Sequence, residues 1–316
     1  RPTTDTDTWS WDYHLDYLTG QYSSDYDNNG VAQPEDGGAQ LITGGLSGRY
    51  HDWAAAVTVT GQTAPIGDTA DMFTADALRL RYMVSKYFPE RDIAVGLGAQ
   101  QVIFALGAPG EPALFQINGG GLVGGITYVP RLRNYRVAGG LESQILGGNV
   151  VTNSCDPLDC NGYILPESVV SPVRGIVGFA YRFADTAWNQ QVGGIFRDEK
   201  SLTLTADVLV TGNSPNAYGI EAFGMQMLQR SGESVAIRAR GGVEIEPLPG
   251  RLRVRAGTYW EPARFEGVGG RIHGTFGLEL RMLEFQAWGR RRGRISFTGD
   301  VASRYKNLAF SVGFWH

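Results

Sequence analysis

The sequence predicts an all-β protein, a transmembrane antiparallel up-and-down β-barrel of about sixteen strands, and three observations predict it. Apolar and polar residues alternate along nearly the whole chain, with almost no helical periodicity. No stretch approaches the roughly 18 uninterrupted apolar residues of a spanning helix, and mean hydropathy is only slightly negative, as expected when every second residue faces a lumen. The final run NLAFSVGFWH sets Leu308, Phe310, Val312 and Phe314 against Asn307, Ala309, Ser311 and Gly313. That ending suits a closing strand with one face in lipid and the other on the lumen.

The first strand is expected over 9–23, where Trp9, Trp11, Tyr13, Leu15 and Tyr17 oppose Ser10, Asp12, His14 and Asp16. After a polar loop come strands at 38–50 and 53–64, the second setting Trp53, Ala55, Val57 and Val59 against Thr58, Thr60 and Gln62. Over 75–87, Leu78, Leu80, Tyr82 and Val84 oppose Arg79, Arg81 and Ser85. Strands at 92–106, 114–129 and 135–148 follow, and then a long insertion at 149–171. Beyond it the alternation places strands at 173–183, 188–197, 201–211, 218–229, 234–246, 251–264, 272–288, 293–304 and 307–315.

Counting these segments gives sixteen, an even number that puts both ends of the chain on one side of the membrane. Fourteen is the alternative, because 188–197 and 218–229 alternate poorly. The long connections at 24–37, 65–74, 149–171 and 265–271 then fall outside, and the short corners FPER, VPRLRN, EPLPG and GRRR fall on the periplasmic side. A propeller would repeat every 40–50 residues or so, and no such repeat is present. A sandwich would leave half the chain unplaced. The whole chain, 1–316, is thus expected to be one barrel domain, with 1–8 a short periplasmic segment and Arg1 the start of a processed or trimmed form.

A net charge of −4 argues against a nucleic-acid partner. Only Lys86, Lys200 and Lys306 are lysines among 28 basic residues; a high-GC genome gives this bias, and so does a lining of permanently charged guanidinium groups. Cys155 and Cys160, spaced C-x4-C in a Pro- and Asp-rich stretch, suit a small disulfide staple in an oxidising compartment. In DYDNNG, Asp25, Asp27 and Asn29 have the 1, 3, 5 spacing of a calcium loop, with Asp36 at the twelfth position. No other cofactor is expected. The histidines are His14, His51, His273 and His316, and no serine is marked as a nucleophile beside them, so no enzyme is expected.

The densest charge pattern runs from 235 to 285. Arg238, Arg240, Glu244 and Glu246 share one face of a strand, and Arg251, Arg253 and Arg255 share the matching face of the next. The Pro247–Gly250 turn would set Glu246 opposite Arg251 and Glu244 opposite Arg253. An Arg facing lipid at the midplane costs about 2–4 kcal/mol. These residues are therefore read as lumen wall, with Glu279, Arg281, Arg79, Arg81, Asp12 and Asp16.

The closing run resembles the C-terminal strand signature of Gram-negative outer-membrane proteins, which implies residence in the outer membrane among its lipid and lipopolysaccharide. The stretch from GGVEIEPLPGRLRVRAGTYW to GTFGLELR resembles the late hairpins of FadL-type transporters, where a Pro-containing turn leads into an R-A-G strand, matched by Arg255, Ala256, Gly257 and Tyr259. That family has an N-terminal plug with an Asn-Pro-Ala signature, to which RPTTDTDTW has no match, so no binding residue is carried over. The leading expectation is a porin-like channel for passive diffusion of small polar solutes with a mild anion preference, in a homo-oligomer by analogy. The alternatives are a FadL-like transporter of hydrophobic compounds, as that resemblance implies, and a structural or adhesion barrel with a closed lumen.

Overall fold

A computed structural model describes residues 9–31, 37–66, 73–108, 110–111, 113–148, 150, 156, 158–160, 162–190, 196–224 and 226–315. Its strands are β1 (Trp9–Ser24), β2 (Gly37–Tyr50), β3 (Trp53–Ile66), β4 (Phe73–Phe88), β5 (Ile93–Gly107), β6 (Phe115–Tyr128), β7 (Tyr135–Glu142), β8 (Ile145–Gly147), β9 (Val170–Ser171), β10 (Arg174–Ala184), β11 (Ser201–Thr211) and β12 (Ala217–Tyr218). After a one-turn helix α1 (Ile220–Gly224) come β13 (Arg230–Ser231), β14 (Ala236–Leu248), β15 (Leu252–Glu261), β16 (Arg271–Gln286), β17 (Arg290–Ala302) and β18 (Tyr305–Trp315).

Sixteen of these strands form one antiparallel sheet, which the β5–β6 and β1–β18 pairings close into a barrel. Fourteen are full staves. The short β8 and β9 pair with each other and prolong β7 and β10 upward. Closure leaves the staves no open sheet edge, which is what lets strands cross a bilayer.

The expected segment at 188–197 is no stave: 191–195 lie outside the described residues, and the flanking parts belong to a loop between β10 and β11. The segment at 218–229 is β12, α1 and the approach to β13, a loop outside the sheet. Because both drop out together, parity is kept and the side assignments of the other connections stand.

Alternation sorts the faces as expected. Leu15, Ile42, Val57, Tyr82, Leu97, Leu122, Val177, Phe276 and Phe297 stand outward and exposed, an apolar belt around the wall. Near the short-turn end the belt carries Trp9, Trp11, Trp53, Phe88 and Trp288, the aromatic girdle of a membrane interface.

Besides ladder slips at Ile245–Leu248 and Met282–Glu284, one irregularity interrupts the pairing of two neighbouring staves. Glu142 pairs with Arg174 and Ile145 with Ser171, so Ser143–Gln144 bulge opposite Pro172–Val173. Pro172 brings no amide to the ladder. Ser143 is held instead by β6: its Oγ accepts from Leu122 N (2.8 Å) and its own N–H donates to Leu122 O (2.8 Å).

Candidate functional site

The lumen has three levels. At the outer mouth the inward side chains are apolar: Ile66, Phe73, Phe104, Leu106, Phe115 and Ile117, from β3 to β6. Two outer loops fold onto them. Cys160, Tyr163 and Leu165 come from the long insertion, and Ile220 and Phe223 come from α1. Phe223 meets Phe115 edge-on (5.9 Å between ring centres) and lies 5.4 Å from Tyr163, which in turn meets Phe73 at 5.4 Å. The α1 loop reaches farther across, where Gln229 donates to Asn29 O (2.8 Å). The result is an aromatic cup, closed above, next to the bulge at Ser143–Gln144.

Below it lies a charged wall. Glu279, 2% exposed, takes Arg281 Nε on one oxygen (2.8 Å) and Arg255 on the other (2.9 Å), with Arg294 at 4.0 Å. Glu244 binds Arg255 (2.7 Å) and lies 3.5 Å from Arg253, while Glu246 binds Arg253 (2.9 Å). Arg238 pairs with Glu261 (3.3 Å), and Arg240 with Asp207 (2.6 Å). Asp16 binds Arg294, and Asp12 lies 3.4 Å from Arg291. Glu142 joins Arg81 (2.6 Å) to Arg174 (2.7 Å), bridging β4 and β10. Arg79 shares the inward face of Arg81, in register with Thr60. Most of the expected wall residues thus face the lumen, held in cross-strand ion pairs.

Two details differ from expectation. Arg251 is not in the wall; it sits exposed in the β14–β15 turn, where its carbonyl accepts from Arg281 N. The hairpin register is also shifted: Glu244 faces Arg255, because the ladder slips between Ile245 and Leu248. The four-residue turn was read as Pro247–Gly250, and moving it by one position changes every partner.

Sequence reasoning missed a buried cluster around His273, which is 1% exposed. Its Nδ1 meets Asp300 (2.7 Å), its Nε2 meets Glu261 (3.0 Å), and Tyr259 stacks on its ring at 4.2 Å. Arg271 donates to Glu261 and to the carbonyls of Asp25 (2.5 Å) and Tyr26 (3.2 Å), tying the first outer loop to the wall. Inward parity reaches His273 and Asp300, but Arg271 falls in the expected outer connection 265–271, and nothing in the sequence marked their convergence.

That outer loop is built by its own backbone. Asp25 accepts from the amides of Asn29 (2.9 Å) and Gly30 (3.1 Å), Asp27 from Asn29 (3.1 Å), and Asn29 caps Val31 (2.7 Å). Arg304 lies 3.7 Å from Asp25. Asp25, Asp27 and Asn29, which have the calcium-loop spacing, thus form the turn's own hydrogen bonds here, and Asp36 lies outside the described residues. Cys160 is buried in the cup, and Cys155 lies outside the described residues.

The third level is the β10–β11 loop, which crosses the periplasmic end. Arg197 gathers Glu199 (2.6 Å) and the carbonyls of Trp188 and Ala187 (both 2.6 Å), and Trp188 packs under Arg136 (4.2 Å). Asp198 then spans to Arg292 on β17, accepting two bonds (2.8 and 2.9 Å), while Phe196 lies under the same guanidinium (4.1 Å). Those bonds hold the Asp198 carboxyl below the usual aspartate range. A depressed carboxylate contributes stability above its unfolded pKa and loses it as pH falls through the folded value. Release of this loop, read by amide hydrogen exchange at Phe196 and Arg197 corrected for the intrinsic rate at each pH, is therefore expected only below the ordinary aspartate range; equal protection above and below it would contradict this clamp.

No protein-family model and no curated protein matches the chain. Among solved structures it is similar to a FadL homologue from Pseudomonas aeruginosa, with a TM-score of 0.56 and 12% identity over 96% of this chain and 90% of that one. It is likewise similar to the toluene transporter TodX from Pseudomonas putida, with a TM-score of 0.51 and 12% identity over 98% of this chain and 89% of that one. At such identity the likeness is one of fold. Fold and outward apolar belt together make the chain a bacterial outer-membrane β-barrel.

Proposed function

We propose that this barrel conducts small hydrophobic molecules through the outer membrane. The aromatic cup carries the reading: the packed layer of Phe73, Phe104, Phe115, Tyr163 and Phe223 at the outer mouth suits contact with an apolar guest and offers little to a hydrated solute. The leading expectation from sequence, passive passage of polar solutes, needs water-exposed charge rows along an open bore. Here the rows are paired with one another, and loops fold over both ends. The neighbours named above include a toluene transporter, which agrees with this reading. The bulge at Ser143–Gln144 lies level with Ile145 and Ile117 of the cup, with Leu141 and Leu146 outside it. In this reading an apolar guest would leave for lipid at this break in β7–β10 pairing, above the charged wall.

Proteoliposomes test this directly. Uptake of a monoaromatic hydrocarbon into vesicles containing the barrel should exceed that of empty vesicles, with no swelling in small sugars or amino acids. Swelling as fast as with a general diffusion pore, and hydrocarbon uptake equal to the empty control, would overturn it.

A further inference from the structure

The chain's cations are divided by side. Apart from Arg291, the described stave arginines face the lumen, whereas all three lysines lie on the outward register or beside it, at strand ends. Lys86 shares the outward face of Tyr82 and Val84 and sits over the rings of Trp53 (5.0 Å) and Phe88 (5.3 Å). Lys306 shares the outward face of Leu308. Lys200 stands at the periplasmic start of β11.

Beside Lys200 a shallow, open cleft of about 450 Å³ lies at the rim where β10 and β14 end and β11 begins. Phe183, Leu202, Ile245 and Pro247 line it with Asp185 and Lys200, and Ala184, Ser201 and Glu246 border it on the lumen side. Phe183 and Ile245 are outward and exposed, 49% and 40%, so the cleft opens toward lipid. Asp185 and Lys200 are both exposed and have no ion-pair or hydrogen-bond partner among the described residues. This contrasts with most of the lumen wall, where acids and bases are paired. An unpaired carboxylate and an unpaired ammonium on one apolar cleft, at the level of the periplasmic headgroups, form a complementary pair for a zwitterion.

We infer that this cleft binds a phospholipid of the periplasmic leaflet whose headgroup carries a phosphate and a primary ammonium. Lys200 takes the phosphate, Asp185 accepts N–H donors from the ammonium, and the acyl chains lie along Phe183, Leu202 and Ile245. A trimethylated headgroup has no N–H to give Asp185, and a glycerol headgroup has no positive charge.

Native mass spectrometry of the detergent-purified full chain tests the site with phosphatidylethanolamine, phosphatidylcholine and phosphatidylglycerol offered at equal concentration. Phosphatidylethanolamine should be retained at least fivefold more than either other lipid. Lys200→Met should lower retention of all three, and Asp185→Asn should remove only the preference for phosphatidylethanolamine. Equal retention of the three lipids, or variants indistinguishable from the parent, would overturn the inference. So would displacement of bound lipid by inorganic phosphate alone, which would make the cleft a site for free anions. Because the cleft lies outside the lumen, this result is independent of what the barrel transports.

Discussion

Glu279→Ala is expected to lower the unfolding free energy of the barrel by about 3–5 kcal/mol, the cost of removing one partner from a buried ion pair. Glu279 serves two guanidinium groups directly, Arg255 and Arg281, and a third, Arg294, at 4.0 Å. Arg281 is only 3% exposed, so the positive charge left behind has little water to turn to. Glu246, 3.5 Å from Arg281, offsets part of the loss. Glu279→Gln keeps the shape and two acceptor bonds at most, and should fall between parent and Ala. Urea unfolding in lipid vesicles measures this; a change under about 1 kcal/mol, the range of an exposed pair, would mean that the wall is more hydrated than its burial implies.

Phe223→Asp is expected to cut hydrocarbon uptake at least tenfold and to raise ionic conductance. The ring packs between Phe115 and Tyr163, and a carboxylate there has no cation in reach among the described contacts. Burying an unpaired charge costs several kcal/mol, more than one short helical turn gains by docking. The α1 loop should therefore leave the mouth while the wall, which does not depend on it, stays closed. Planar-bilayer conductance together with unchanged heat-dependent mobility on gels would report that outcome. Undiminished uptake would show that Phe223 lines no part of the route.

Much of this was legible in the sequence, and the reasons differ by element. Staves were readable because lipid and lumen impose opposite chemistry on successive residues, so Leu78 to Val84 or Ile237 to Ile245 announce both strand and face. The same rule pointed to the wall, since an Arg near the middle of a stave is tolerated only toward the lumen, whereas Arg291 at the rim lies outward over Tyr13. It failed where no bilayer acts. Trp188 and Phe223, which made 188–197 and 218–229 look like weak staves, pack at the ends of the barrel instead, Trp188 under Arg136 and Phe223 into the cup. A buried loop and a poorly alternating strand have the same composition. Only tertiary contact separates them. Likewise the turn after Glu246 was visible, but its one-residue slip was not, since register depends on backbone geometry that the residue types leave open.

The sorting of lysine from arginine has a practical side. An acylating reagent that attacks primary amines would find its side-chain targets, Lys86, Lys200 and Lys306, at the two rims of the apolar belt and none on the inner wall. Reagents selective for guanidinium would first meet the exposed arginines outside the wall, such as Arg131, Arg230 and Arg304, and reach the interior only past the loops. The amines thus offer a separate chemical handle, one for anchoring the barrel to a surface or a dye without altering its interior.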